Sequence, residues 1–187
     1  KPQNPFIMNF NVDLFIEHQT SLGFIGRIRY GINAGMIFGT TAYPFLKIHE
    51  GNQSYWLQTN TFNKMDFFEF ISDRYVTGLI ENHWDGLFLD RVPLLKKLKW
   101  RLITTGRIAF GAISDRHTAE MRLPDFTKQF GKTPYIEVAL GIENIFAVGR
   151  VDVFWRLTHM DENNLGEKYK VGHITNFGIR ARYALNF

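Results

Sequence analysis

Seven times along this chain, apolar and polar residues alternate with a period of two. Each stretch is close to the ~9–11 residues that a tilted strand needs to cross a bilayer. Residues two apart in a strand share a face, so the alternation sorts each stretch into an apolar and a polar side. In residues 6–16, Phe6, Met8, Phe10, Val12, Leu14 and Ile16 oppose Asn9, Asn11 and Asp13. In 24–38, Phe24, Ile28, Tyr30, Ile32, Met36 and Phe38 oppose Arg27, Arg29 and Asn33. The stretch 71–84 sets Val76, Ile80 and Trp84 against Glu81 and His83. In the next, Leu102, Thr104, Gly106, Ile108, Phe110 and Ala112 face away from Arg107, Ala109 and Gly111. Ile136, Val138, Leu140 and Ile142 alternate with Glu137, Ala139, Gly141 and Glu143. Val151, Val153, Trp155 and Leu157 alternate with Arg150, Asp152, Arg156 and Thr158, and Phe154 is the one break. At the end, Phe177, Ile179, Ala181, Tyr183, Leu185 and Phe187 oppose Gly178, Arg180, Arg182, Ala184 and Asn186.

The expected fold class is therefore all-β, an antiparallel transmembrane β-barrel with seven or eight strands here. Aromatic residues make up 16% of the chain, 18 of them Phe, which suits a pleated surface better than a helix. A mean hydropathy of -0.17 does not argue against a barrel wall, which averages lipid-facing and water-facing residues. No apolar run approaches the ~18 residues of a spanning helix. With no cysteine, disulfide frameworks and thiolate metal sites are excluded. The net charge of +4 comes from scattered Lys and Arg without a basic face, so no nucleic-acid partner is expected.

The connections alternate in length: short at 17–23 and 144–148, long at 39–69, 114–134 and 159–171, intermediate at 86–99. Outer-membrane barrels have short periplasmic turns and long extracellular loops. With Phe187 on the periplasmic side, the three long connections fall outside. The intermediate one contains Pro93, Leu94, Leu95 and Leu98 with Lys96, Lys97 and Lys99. That pattern predicts either a short amphipathic helix at the membrane interface or an ordinary turn with snorkelling lysines. Seven is odd, whereas bacterial single-chain barrels have an even strand number. The expectation is one barrel region over residues 1–187, the C-terminal part of a larger barrel whose N-terminal remainder is absent. A complete eight-stranded barrel with Ser54–Phe62 as the eighth strand is the competing account. The chain shows no signal peptide and does not start with Met, which fits a removed presequence or a missing N-terminal part.

Two groups of residues carry functional expectations. Phe177, Ile179, Tyr183, Leu185 and Phe187 form an assembly signal, because a greasy terminal strand can add to the open edge of an assembly barrel. Arg27, Arg29, Glu81, Arg107, Glu137, Glu143, Arg150, Asp152, Arg156, Arg180 and Arg182 are expected to face the lumen, since Arg at the bilayer midplane costs ~2–4 kcal/mol. They could line a selective pore. A cross-strand ladder of opposite charges is the favoured reading, because both signs occur on adjacent strands. Glu81 and His83 share a face, but two residues do not make a ligand set; no metal, cofactor or catalytic residue is expected. Ser114, Asp115 and His117 sit together in sequence without the orienting third group that a nucleophile needs.

Several stretches resemble the C-terminal barrel region of a Bacteroidota outer-membrane family of unknown function. They are Ile37–Pro44, His49–Tyr55, Phe68–Tyr75, Glu81–Gly86, Val92–Lys99 and Tyr135–Phe146. Where the family pattern has a second His before His83, this chain has Asn82, which weakens a metal reading there. Proteins of that family carry an N-terminal carboxypeptidase-like regulatory domain and a TonB-dependent-receptor-like barrel. The resemblance implies a longer protein of the bacterial outer membrane. The expected function is non-enzymatic: transport, anchoring or envelope assembly, with membrane lipid, the barrel assembly machinery and other outer-membrane proteins as partners. The alternatives are a membrane-embedded hydrolase and a soluble β-barrel holding a small apolar ligand.

Overall fold

In a computed structural model, residues 10–39, 42–115, 117, 123, 124, 126–160 and 176–183 are described. Phe6, Met8 and Asn9 of the first expected strand, most of the connection 159–171, and Leu185 and Phe187 of the expected assembly signal lie outside those residues.

The described chain is all-β apart from short helical turns. The strands are β1 (Phe10–Ser21), β2 (Arg27–Phe38), β3 (Lys47–Ile48), β4 (Ile71–Ser72), β5 (Arg74–Trp84), β6 (Arg101–Ala112), β7 (Tyr135–Ile145), β8 (Gly149–Arg156) and β9 (Phe177–Tyr183). Seven of them form one sheet in the order β1-β2-β5-β6-β7-β8-β9, every neighbouring pair antiparallel. The other two, β3 and β4, form a separate small pair. Each of the seven expected segments is one strand of the main sheet. That sheet does not close among the described residues, since β1 and β9 are its ends.

The expected boundaries shift where turn chemistry takes over. β1 runs to Ser21 rather than ending at residue 16, because Glu17, Gln19 and Ser21 pair with Gly31, Arg29 and Arg27. The turn lies at 22–26, where Gly23–Ile25 make one 3-10 turn, so β2 starts at Arg27 rather than residue 24. Gly26 adopts φ 127 and lies against the His83 carbonyl; a side chain there would be both strained and blocked. Ser54–Phe62 is not an eighth wall strand. It makes only isolated bridges, Trp56 to Ala181 and Phe62 to Gly51. In the intermediate connection a 3-10 turn (Leu89–Arg91) leads into α1 (Pro93–Leu98), with Pro93 in the first turn as its fixed φ favours.

The two faces of the main sheet differ sharply. On one, Leu14, Ile32, Val76, Ile108, Leu140 and Ile179 keep between 43% and 62% of their surface exposed. On the other, Arg107, Glu137, Asp152 and Arg156 are buried, because the long connection 39–69 does not extend away from the sheet. It folds back across the polar face. Phe62 and Met65 from that segment, with Phe70 directly after it, pack on Ala109 and Tyr135 of the sheet and on Phe130. Leu57 packs on Ala139 and Phe154. A third cluster joins Ile37, Leu46, Ile71 and Ile113. The core therefore lies between the polar face of the sheet and the chain folded over it, chiefly the inserted segment with Phe130 and Ile113 of the connection before β7.

Contacts between distant strands report curvature. Glu81 on β5 and Arg150 on β8 are separated by β6 and β7, three spacings of ~4.8 Å on a flat sheet with a further offset along the strands. Their side chains nevertheless meet at 2.7 Å. Arg27 on β2 reaches Glu143 on β7 at 3.8 Å across the same number of spacings. The sheet curls, with its polar face on the inside of the curve. No helix of the described residues is long and apolar enough to cross a membrane.

Candidate functional site

The inside of the curve carries two charge networks. The first lies toward the turn end of β5–β8. The Arg150 guanidinium donates to Asp152 at 2.8 and 2.7 Å and to Glu81 at 2.7 Å. His83 bridges Glu81 and Glu143 at 3.1 and 3.0 Å, and Thr105 donates to Glu81 at 3.3 Å. Asp85 holds Arg27 at 3.4 Å and Arg101 at 3.2 Å. Arg182 sits opposite Arg150 in the β8–β9 register and lines a recess there with Arg27 and Arg101.

The second network ties the inserted segment to the wall. The Glu137 carboxylate on β7 accepts the backbone N–H groups of Asn63 and Lys64 at 3.0 and 2.6 Å, the Tyr135 hydroxyl at 3.2 Å and Arg107 at 3.4 Å. Arg107 also donates to the Thr59 carbonyl at 2.8 Å. Arg180 on β9 donates to the carbonyls of Asn52 and Asn63, both at 2.7 Å. Glu69 from the segment receives Arg156 at 2.7 and 3.0 Å and Lys128 at 3.2 Å. Burial alone would raise the Glu69 carboxyl, but the hydrogen bonds and charge of Arg156, helped by Lys128, hold it below the ordinary carboxylate range. Lys64 shifts down, first from burial and then from the Arg180 and Arg156 cations nearby. Arg29 is apart from both networks, clasped by Glu17 at 2.6 Å and Asn60 at 2.7 Å.

All eleven charges expected on one side of the wall thus share the polar face, and most are paired. The register pair Arg107–Glu137 is a ladder rung of the anticipated kind. Many of the other bonds run between non-adjacent strands or to the inserted segment. Of the residues expected to form an assembly signal, Phe177, Ile179 and Tyr183 lie together on the exposed apolar side of β9.

Sequence reasoning missed His49, Asn52, Asn63, Glu69 and Lys128, which lie in connections and so carry no strand pattern. A signal for them existed on the wall. Phe154, the break in the β8 alternation, is fully buried under Leu57. Gly178 leaves room for Lys64, whose Cδ lies 3.0 Å from where a Cβ would stand. An aromatic or a glycine on an otherwise polar face marks the place where another part of the chain lands.

Two serine–histidine arrangements bear on hydrolase chemistry. His49 Nε2 lies 3.0 Å from Ser72 Oγ. Burial, and then the Lys47 charge, hold the His49 imidazole down to about 3, so it is neutral at ordinary pH. Its Nδ1 has no hydrogen-bond partner, so no carboxylate orients the ring, and both residues are sealed from solvent. In the other, His117 Nε2 faces Asp73 at 3.5 Å, while Ser114 contributes its backbone N–H to the same carboxylate at 2.9 Å. In the first, the Ser72 oxygen is buried out of a substrate's reach. Among the described residues, no group of three or more His, Asp or Glu side chains is arranged to hold a metal ion.

These features define a class: an all-β protein with a curved antiparallel sheet, bare and apolar outside, charged and filled by its own chain inside. Residues 9–118, more than half of the chain, match the C-terminal domain of a family of unknown function, DUF5686, and the chain belongs to that family. The matched stretch covers β1 through β6. No curated protein and no solved structure matches the chain.

Proposed function

We propose that this chain forms part of the wall of a β-barrel in a bacterial outer membrane, with a non-enzymatic role in transport, anchoring or envelope assembly. The observation that carries the reading is the bare apolar face. It runs across the whole main sheet, with Leu14, Ile32, Val76, Ile80, Ile108, Leu140 and Ile179 forming a continuous band. Soluble monomers rarely expose apolar patches beyond a few hundred Å². Phe10, Phe38, Phe110, Trp155 and Phe177 lie toward one end of the strands, and Tyr30, Trp84 and Tyr183 toward the other. An aliphatic band between two aromatic girdles is the pattern that a bilayer selects. Five of the seven strands, β1, β2, β5, β6 and β7, have 11–12 residues and at ~3.3 Å per residue and ~40° tilt span ~30 Å, the thickness of a hydrocarbon core; the described parts of β8 and β9 are shorter.

The curl of the sheet supports a barrel, and β1 and β9 are the strands through which it would close with further wall. α1, with Leu94 and Leu98 exposed beside Lys96 and Lys97, suits the membrane interface, where lysines snorkel toward water. The filled interior favours an occluded barrel over an open pore. Residues 177–187 would deliver the chain to the assembly machinery through β9. A regulatory domain and a TonB-receptor-like relationship upstream belong to the same proposal.

Lipid contact is directly measurable. The protein, reconstituted in vesicles containing lipids brominated along the acyl chain, should show quenching of the exposed Trp84–Trp155 side of the sheet, and Trp84→Phe and Trp155→Phe should each remove part of it. A protein that stays monodisperse in buffer without detergent, or shows no bromine quenching, rules the reading out.

A further inference from the structure

The apolar face of the main sheet carries a charge at one point. Of the Asp, Glu, Lys and Arg residues on its seven described strands, Arg74 alone belongs to that face, in the row Val12, Met36, Arg74, Ala112. It stands at the end of β5 that adjoins the long connections. It is not beyond the apolar surface there, since Phe10 and Phe38 lie one row farther out. The Arg74 side chain keeps 55% of its surface exposed. The one carboxylate it meets among the described residues, Asp73, is 3.9 Å away, beyond hydrogen-bond reach. Asp73 is itself buried and accepts the Ser114 N–H at 2.9 Å. A cation set into an apolar face that meets hydrocarbon is disfavoured unless an anion pairs with it.

The same part of the face is indented. A groove of roughly 550 Å³ opens outward there, with Arg74 as its only charged lining residue. Ala34 and Ala112 are its low points, between the longer side chains of Met36, Phe38, Val76 and Phe110. Its size falls within the ~300–1,000 Å³ of ligand sites, but its walls offer nothing for a polar molecule to bond except the guanidinium. An apolar trough with one cation suits a lipid. The acyl chain fills the trough, and the planar fork of the arginine meets the phosphate oxygens at the headgroup. A zwitterionic lipid carries its own ammonium beside that phosphate, which competes with Arg74. A net anionic lipid does not, so charge complementarity selects it.

We propose that this groove holds an anionic, phosphate-bearing lipid, its acyl chain against Met36, Val76 and Phe110 and its phosphate on Arg74. The inference rests on the barrel reading and adds to it a fixed lipid site of stated charge. The chain has no cysteine, so a single bimane fluorophore can be placed on Leu14→Cys, in register with Ala34 beside the groove, or on Ile179→Cys, on β9 away from it. Both positions are exposed. The labelled protein is reconstituted in phosphatidylcholine vesicles with increasing fractions of nitroxide-labelled phosphatidylglycerol or nitroxide-labelled phosphatidylcholine. At Leu14→Cys the anionic lipid should reach half-maximal quenching at a mole fraction about fivefold lower, the worth of one cation near an anionic headgroup. At Ile179→Cys the two lipids should quench alike. Arg74→Gln should abolish the preference at Leu14→Cys, and Arg74→Lys should keep part of it. Equal quenching by both lipids at Leu14→Cys overturns the lipid site and leaves the barrel reading standing. An equal preference at Ile179→Cys, or one that survives Arg74→Gln, overturns the site as well. If neither lipid quenches either label, the wall does not meet lipid and both readings fall.

Discussion

Glu69 shows how one residue couples the inserted segment to the wall. It lies in a connection, yet it receives Arg156 from β8 and Lys128 from the connection before β7, and all three are buried. A buried pair owes little net stability to its own attraction, but removing one partner strands the others without compensation, at a cost of ~3–5 kcal/mol. Glu69→Gln should lower unfolding free energy by about that amount at neutral pH, read by urea denaturation followed by circular dichroism. The sign with pH is fixed by the depressed carboxyl. Its contribution is full above the unfolded carboxylate range, and fades as the pH falls through the lower folded value. The gap between native protein and Glu69→Gln should therefore narrow in acid. Equal stability at neutral pH would mean that the Arg156 and Lys128 charges find other partners at no cost.

At the scale of elements, the inserted segment and the wall strands owe their positions to different forces. The strands follow from pairing and alternation, the segment from packing and from Glu137 gathering the Asn63 and Lys64 amides. Phe154 and Leu57 are one point of attachment. Phe154→Ala opens a cavity between segment and wall and should cost ~3–5 kcal/mol. Hydrogen exchange should show the loss as faster exchange of the Leu57 amide, which donates to Ala181 at 2.9 Å, while amides of the β5–β6 pairing change little. Uniform acceleration across the sheet would contradict a separately anchored segment. The same division explains what was legible in the sequence. Strand identity, order and facing follow from period two, a local signal. The path of residues 46–70 has no period, since Asn52, Asn63 and Glu69 are placed by partners on β7, β8 and β9 far away in sequence. What could be read was the imprint on the wall, where Phe154 interrupts a polar row. The end of β1 at Ser21 was hidden for another reason: Glu17, Gln19 and Ser21 alternate with His18 and Thr20, so neither face has the apolar character that marks a strand.

For the whole molecule the question is which medium meets the apolar face, and charge insertion at graded depth answers it. Ile108 is mid-strand on β6, in register with Gly78 and Ile136, and keeps 43% of its surface exposed. In water, Arg at such an exposed position stays within about 0.5 kcal/mol of the native residue and improves solubility. Against hydrocarbon at the midplane it costs ~2–4 kcal/mol, falling to ~0–1 kcal/mol near the interface. Phe38, at the far end of β2 and 45% exposed, supplies the shallow comparison. Reversible unfolding in lipid vesicles should therefore rank Ile108→Arg well below Phe38→Arg in stability. A soluble protein has no depth axis, and would treat the two substitutions alike. The difference between the two variants, rather than either loss alone, isolates the bilayer, because each replaces a half-exposed apolar side chain by the same cation.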